Sequence, residues 1–151
     1  MANSQAMCTS FKGEILTATH NFGTAPTRAT SAADTFKAAL YLTTATLGAG
    51  TTAYSASGEA SGTNYSAGGV TVTNATAPTT SGTTAYWTPS ASITYTNVTL
   101  STPFDAVLIY NSSQSNKSVS VHTFGSQTVT AGTFSLTMPA NAAGTALLNI
   151  A

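Results

Sequence analysis

The feature that most limits what this chain can fold into is the run Phe104-Asp105-Ala106-Val107-Leu108-Ile109-Tyr110, its longest apolar stretch. A strand with one wet face alternates apolar and polar residues, whereas a strand covered on both faces need not. From Ala106 to Tyr110 there is no alternation. The run is short for a helix, and a cluster of turn formers follows it, from Asn111 to Asn116. These features predict a central strand with the rest of the chain wrapped around it.

The flanking segments read as shorter strands. Ser118 to Phe124 is the return arm of a hairpin, with Val119 and Val121 inward and the serines and His122 outward, ended by Gly125. Gln127–Thr130 and Thr133–Met138 then pair around Ala131-Gly132. Upstream, Ile93 and Tyr95 alternate in one phase and Val98 and Leu100 in the other, which predicts a β-bulge between them. Phe36, Ala38, Leu40 and Leu42 recur at period two; a helix competes over 32–42, but Thr43 to Thr46 extend the segment with β formers. Val70 and Val72 start a short strand that ends near Pro78, and Ala146 to Ile150 form a last one. Ser10 is placed to cap a short helix over 11–19, with Phe11 and Ile15 four apart. His20 to Ser31 reads as a loop, and residues 1–10 as an extended arm, mobile in a monomer and laid across a neighbour in an assembly. The whole, 1–151, predicts a single all-β domain: an antiparallel β-sandwich, jelly-roll or immunoglobulin-like.

Composition narrows the function. Charged residues make up 5% of the chain, against about 25% in ordinary soluble domains. Ser and Thr take their place. Lys12, Arg28, Lys37 and Lys117 are scattered singly, which argues against a nucleic-acid partner. No run approaches the length of a membrane span, so no membrane partner is expected. The first residues have no signal-peptide pattern, so synthesis in a cytoplasm is the expectation. Zero net charge removes the repulsion that keeps copies apart, which favours life within an assembly, as a homo-oligomer.

The sequence offers little to a catalyst. His20 and His122 lack suitably spaced carboxylates for a zinc site, and Glu14, Asp34, Glu59 and Asp105 fall in separate segments. Asp105, opening a buried strand, is read as an acceptor for backbone groups of a neighbouring turn. No Gly-X-Ser-X-Gly elbow or phosphate loop is present. The expectation is therefore no catalytic residue, metal or cofactor. Candidate contact residues are Met7 and Cys8 on the arm, Phe11 on the helix, Tyr54 and Tyr65 on the long Gly48–Gly69 excursion, and the Tyr86-Trp87 cluster. Cys8, with no basic neighbour, reads as a small apolar contact residue outside the core strands. Trp87 has three readings: the cover of one core end, a sugar-stacking ring, or an interface anchor.

Three blocks of the sequence together resemble a family of small tailed-bacteriophage virion proteins. They are Cys8-Thr9-Ser10-Phe11-Lys12 through His20-Asn21-Phe22; Asp34 to Tyr41 with Thr52-Ala53-Tyr54 and Tyr65 to Gly69; and Phe104 to Phe124 with the Phe134–Pro139 strand. The resemblance implies a non-enzymatic virion component. By analogy it implies a capsid cement or decoration protein bound to the major capsid protein or other virion proteins. The alternative it leaves open is a tail or fibre component with a receptor- or carbohydrate-binding sandwich.

Overall fold

The computed structural model describes residues 2–16, 19–22, 33–73 and 77–151. Among the described residues, eight strands and one helix follow in the order β1 (Ala6–Met7), α1 (Thr9–Leu16), β2 (Phe36–Leu42), β3 (Val70–Thr71), β4 (Thr79–Ser81), β5 (Thr84–Trp87), β6 (Ile93–Asn111), β7 (Lys117–Leu136) and β8 (Leu148–Ile150). All pairings are antiparallel. One sheet has the order β1-β7-β6-β2-β3 and the other β4-β5-β8, which makes the protein an all-β sandwich.

The apolar run lies in the middle of the larger sheet. Ala106 to Tyr110 are buried on both faces, with β2 on one side and β7 on the other. Full burial of a side chain such as Leu108 contributes roughly 2–3 kcal/mol. β2 is a strand, and its alternate face is covered too: Ala39 and Tyr41 are as buried as Ala38 and Leu40. The turn after Asn111 needs left-handed backbone at Ser115 and Asn116, which the run of small polar residues supplies.

Two expectations about strand breaks are corrected. β6 runs unbroken for 19 residues through Pro103, and β7 for 20 residues through Gly125 and Ala131-Gly132. The two form one long hairpin, interrupted by register shifts instead of turns. The bulge expected between Tyr95 and Val98 is there, with Asn97 at φ 52°. Ala131, at φ 44°, marks another irregularity where a separate hairpin was expected. Bulges bend a strand and increase its twist. Here they bring the far half of the hairpin over β2, so that the Tyr95 hydroxyl donates to the Ala38 carbonyl at 2.8 Å. Ala38 itself pairs with Ile109 of the same β6. β6 thus reaches β2 through the Tyr95 side chain as well as through the ladder, and Phe104 lies edge-on to Phe134 at 5.0 Å.

The arm is part of the fold. β1 pairs with β7 through Ala6–Val121 and Met7–Ser120. Asn3 donates to the Leu42 carbonyl at 3.1 Å and to Asp105 at 2.6 Å, and accepts from the Leu47 N–H at 2.9 Å. Asp105 thus accepts from a side chain of the arm where a backbone partner was expected. Cys8 is fully buried in the core cluster, which corrects its placement outside the core. Burial pushes its thiol up to about 11, the Ser118 hydroxyl offsets part of that, and Glu14 adds to it. The helix spans Thr9–Leu16, starting at Thr9 instead of Phe11; residues 17–18 of the expected helix and residues 23–31 of the expected loop lie outside the described residues.

The outward serines of the return arm are also corrected. Ser118 and Ser120 are buried, because β1 and α1 cover that side of β7. His122 is half-buried, 2.9 Å from the Ser120 hydroxyl, and borders an apolar cavity of about 140 Å³ with Val107, Ile109, Phe124 and Leu136.

Candidate functional site

The expected contact residues fall into two groups. Tyr54 and Tyr65 belong to a latch that holds the Gly48–Gly69 excursion against the sheet. The Glu59 carboxylate accepts hydrogen bonds from the Tyr54 hydroxyl (2.6 Å), the Tyr65 hydroxyl (2.8 Å) and the Gly68 N–H (2.8 Å). Tyr54 stacks on Tyr110 at 4.8 Å, and the Tyr110 hydroxyl returns to the Gly68 carbonyl. Tyr65 stacks on Tyr95 and accepts from the Leu40 N–H. Burial raises both phenols, and Glu59 raises them further, so they remain donors. Gly69, at φ 69°, sits so close that a Cβ there would lie 1.7 Å from the Ala38 carbonyl oxygen. The excursion is a built part of the sandwich.

Phe11, Tyr86 and Trp87 come together elsewhere. They line a groove of about 180 Å³ between α1 and the smaller sheet, with Ile15, Phe22, Leu148 and Ile150. The helix repeat puts Phe11 and Ile15 on one side. The strand repeat puts Leu148 and Ile150 on one face of β8, paired with Trp87 and Ala85 of β5. Trp87 is only 2% exposed; its ring meets Phe22 edge-on at 4.8 Å, and Phe22 stacks on Phe36 at 4.3 Å. Trp87 therefore floors the groove and joins it to the core. The rim is different: Ile15 and Ile150, 38% and 43% exposed, are the exposed large hydrophobic residues among those described.

One wall is fixed by a polar network. Glu14 pairs with His20 at 2.7 Å and with Lys117 at 2.5 Å. Burial would raise the Glu14 carboxyl, but these two partners hold it below its ordinary value. Asn111 accepts from the Ser113 N–H, which turns its amide toward His20 Nδ1 (3.1 Å) and Asp34 (2.7 Å). That amide is a donor, so His20 Nδ1 accepts and Nε2–H donates to Glu14. Asp34 also receives the Asn21 N–H and the Gln114 amide. The His20 ring, held in place, lies 4.8 Å from Phe11.

Met7 is half-buried in β1 and packs against the core. Sequence reasoning missed Ile150, Leu148 and Phe22 as groove residues. The period-two pair in the last apolar strand was a signal for the first two. No cluster of His, Cys, Asp or Glu suited to a metal occurs among the described residues, and none of their helices is long and apolar enough to cross a membrane. No family model matches the chain, and neither does any curated protein or solved structure.

Proposed function

We propose that this chain is a non-enzymatic structural component of a tailed-phage virion, a cement or decoration protein that seats its groove on apolar side chains of the shell. The observation that carries the reading is the concentration of exposed apolar surface. Ile15 and Ile150 stand on opposite rims of one groove whose floor is aromatic. Exposed apolar residues scattered singly need no explanation, whereas their convergence on an apolar cleft marks a contact surface. Aromatic floors with polar surroundings are the usual composition of interface centres. The sequence resemblance supplies the shell as partner.

The carbohydrate-binding alternative draws less support. Sugar stacking needs an open aromatic face, and the Trp87 ring is packed between Phe22 and the sheet. The test is to add purified protein to particles that lack it and count bound copies. Ile15→Ser combined with Ile150→Ser removes the apolar rim at exposed positions, so the fold should persist while occupancy falls at least tenfold. Wild-type occupancy by the double variant would refute the groove as the contact. Binding to surface polysaccharide, lost in Trp87→Ala, would favour the tail or fibre reading.

A further inference from the structure

The β6–β7 register sets His122 opposite Val107 and Ser120 opposite Ile109, so an imidazole and a hydroxyl share a sheet face with two branched apolar side chains. Val107 and Ile109, with Phe124 and Leu136 of β7, wall the cavity of about 140 Å³ that the His122 ring borders. Thr123 and Thr137 are its other polar lining residues, and no Asp, Glu, Lys or Arg lines it. Ser120 is buried, and among the described residues its hydroxyl has one hydrogen-bond partner, His122 Nε2 at 2.9 Å. A buried hydroxyl keeps its hydrogen paired by donating it, so Ser120 donates to Nε2 and the ring proton sits on Nδ1. Burial lowers the ring's pKa to about 4, so it is neutral at pH 7. Nδ1–H has no acceptor among the described residues, and the atom is not sealed inside the core. Apolar walls with one placed polar group are the composition of a small-molecule site, where that group fixes the ligand's orientation.

We propose that this cavity binds a small uncharged apolar molecule with one hydrogen-bond acceptor, such as a six-carbon cyclic ketone, its ring on the apolar walls and its oxygen on His122 Nδ1–H. Size, charge and polarity each select that chemistry. An apolar cavity of about 150 Å³ takes up benzene, so this one admits a ring of about six heavy atoms. An ionised ligand would lose its hydration with no charged side chain on the lining to replace it. The free polar group of the imidazole is a donor, which calls for a carbonyl or ether oxygen on the ligand. The cavity shares no lining residue with the groove between α1 and the smaller sheet, so the inference does not rest on shell binding.

The test titrates the full chain, followed by NMR, with cyclohexanone and with methylenecyclohexane, which has the same shape and no oxygen. Both should compete for one site and move the resonances of Val107, Ile109 and Phe124. Only cyclohexanone should shift the His122 Nδ1 nitrogen. His122→Leu keeps an apolar wall but removes the donor, so the ratio of the two dissociation constants should move by about fivefold toward methylenecyclohexane, the worth of one hydrogen bond. The Nδ1 signal is read on the wild-type chain, so it decides the matter even where His122→Leu does not fold. Cavity resonances that neither probe moves, perturbation at Ile15 and Ile150 instead, an Nδ1 nitrogen that responds equally to both probes, or an unchanged ratio in His122→Leu would overturn the proposal.

Discussion

His122 should make the fold lose stability in mild acid, well before the carboxylates titrate. Its ring is half-buried beside an apolar cavity lined by Ile93, Val107, Ile109, Phe124 and Leu136, and burial lowers its pKa from 6.5 to about 4. The folded state therefore resists protonation that the unfolded chain accepts at 6.5. Stability from this group is full above pH 6.5, falls as pH drops from 6.5 toward 4, and falls no further below that. At about 1.4 kcal/mol per pH unit the whole loss is about 3 kcal/mol, of which about 2 kcal/mol is gone by pH 5. Solvent reaching one side of the ring trims these values. Urea unfolding at pH 7, 6, 5 and 4.5 reads the effect directly. His122→Leu fills the same space without titrating, so its stability should be nearly flat over that range. A wild-type profile that is flat from pH 7 to 5, or a His122→Leu profile as steep as wild type, would refute the reasoning.

Gly69→Ala should prevent folding or cost more than about 3 kcal/mol, because its Cβ would occupy the Ala38 carbonyl oxygen and its φ is positive; a soluble variant with a wild-type melting temperature would contradict the close approach. Glu59→Ala should cost about 2–4 kcal/mol in urea unfolding, since it leaves two tyrosine hydroxyls and the Gly68 N–H without their acceptor. Cys8→Ser should cost about 1–3 kcal/mol by placing a hydroxyl in the core, and the native thiol should react with a disulfide reagent only on unfolding. Deleting residues 2–9 should lower the melting temperature by several degrees, because Asn3 and β1 tie the arm to β2, β6 and β7.

The parts of the fold legible in the sequence were those decided by local periodicity. Ala106 to Tyr110 lacked alternation because both faces are covered, and the phase change between Tyr95 and Val98 was the bulge itself. The breaks misled. Gly125 and Ala131-Gly132 usually punctuate chains, but at bulges in a long hairpin they sit within the strand. Ser118 and Ser120 looked solvent-facing by alternation, but β1 pairs alongside β7 there and α1 packs against it. Cys8 had a signal that was available: cysteine is among the most buried residue types, even in a polar setting. The latch was illegible, because Tyr54, Glu59 and Tyr65 of the excursion meet Tyr95 and Tyr110, at opposite ends of β6, only once the chain is folded.

The few charges also explain why the surface is so neutral. Each of the four acidic residues ties together segments distant in sequence. Glu14 joins the helix to Lys117 of β7. Asp34 gathers Asn21, Asn111 and Gln114. Glu59 holds the long excursion, and Asp105 holds the arm through Asn3. A carboxylate with such donors forms stronger bonds than a neutral acceptor, so a handful suffices to fix the long connections. With the acidic groups committed inside the fold, Ser, Thr and Gly make up much of what remains outside. That surface carries few charges that could repel a neighbouring molecule. If the proposed groove is the contact, adding charge at exposed positions away from it, such as Ser57→Glu with Thr63→Lys, should leave particle binding unchanged. Polar groups at Ile15 and Ile150 should instead lower it at least tenfold. Loss of particle binding from the remote charges alone would show that surface neutrality, and not the groove, governs attachment.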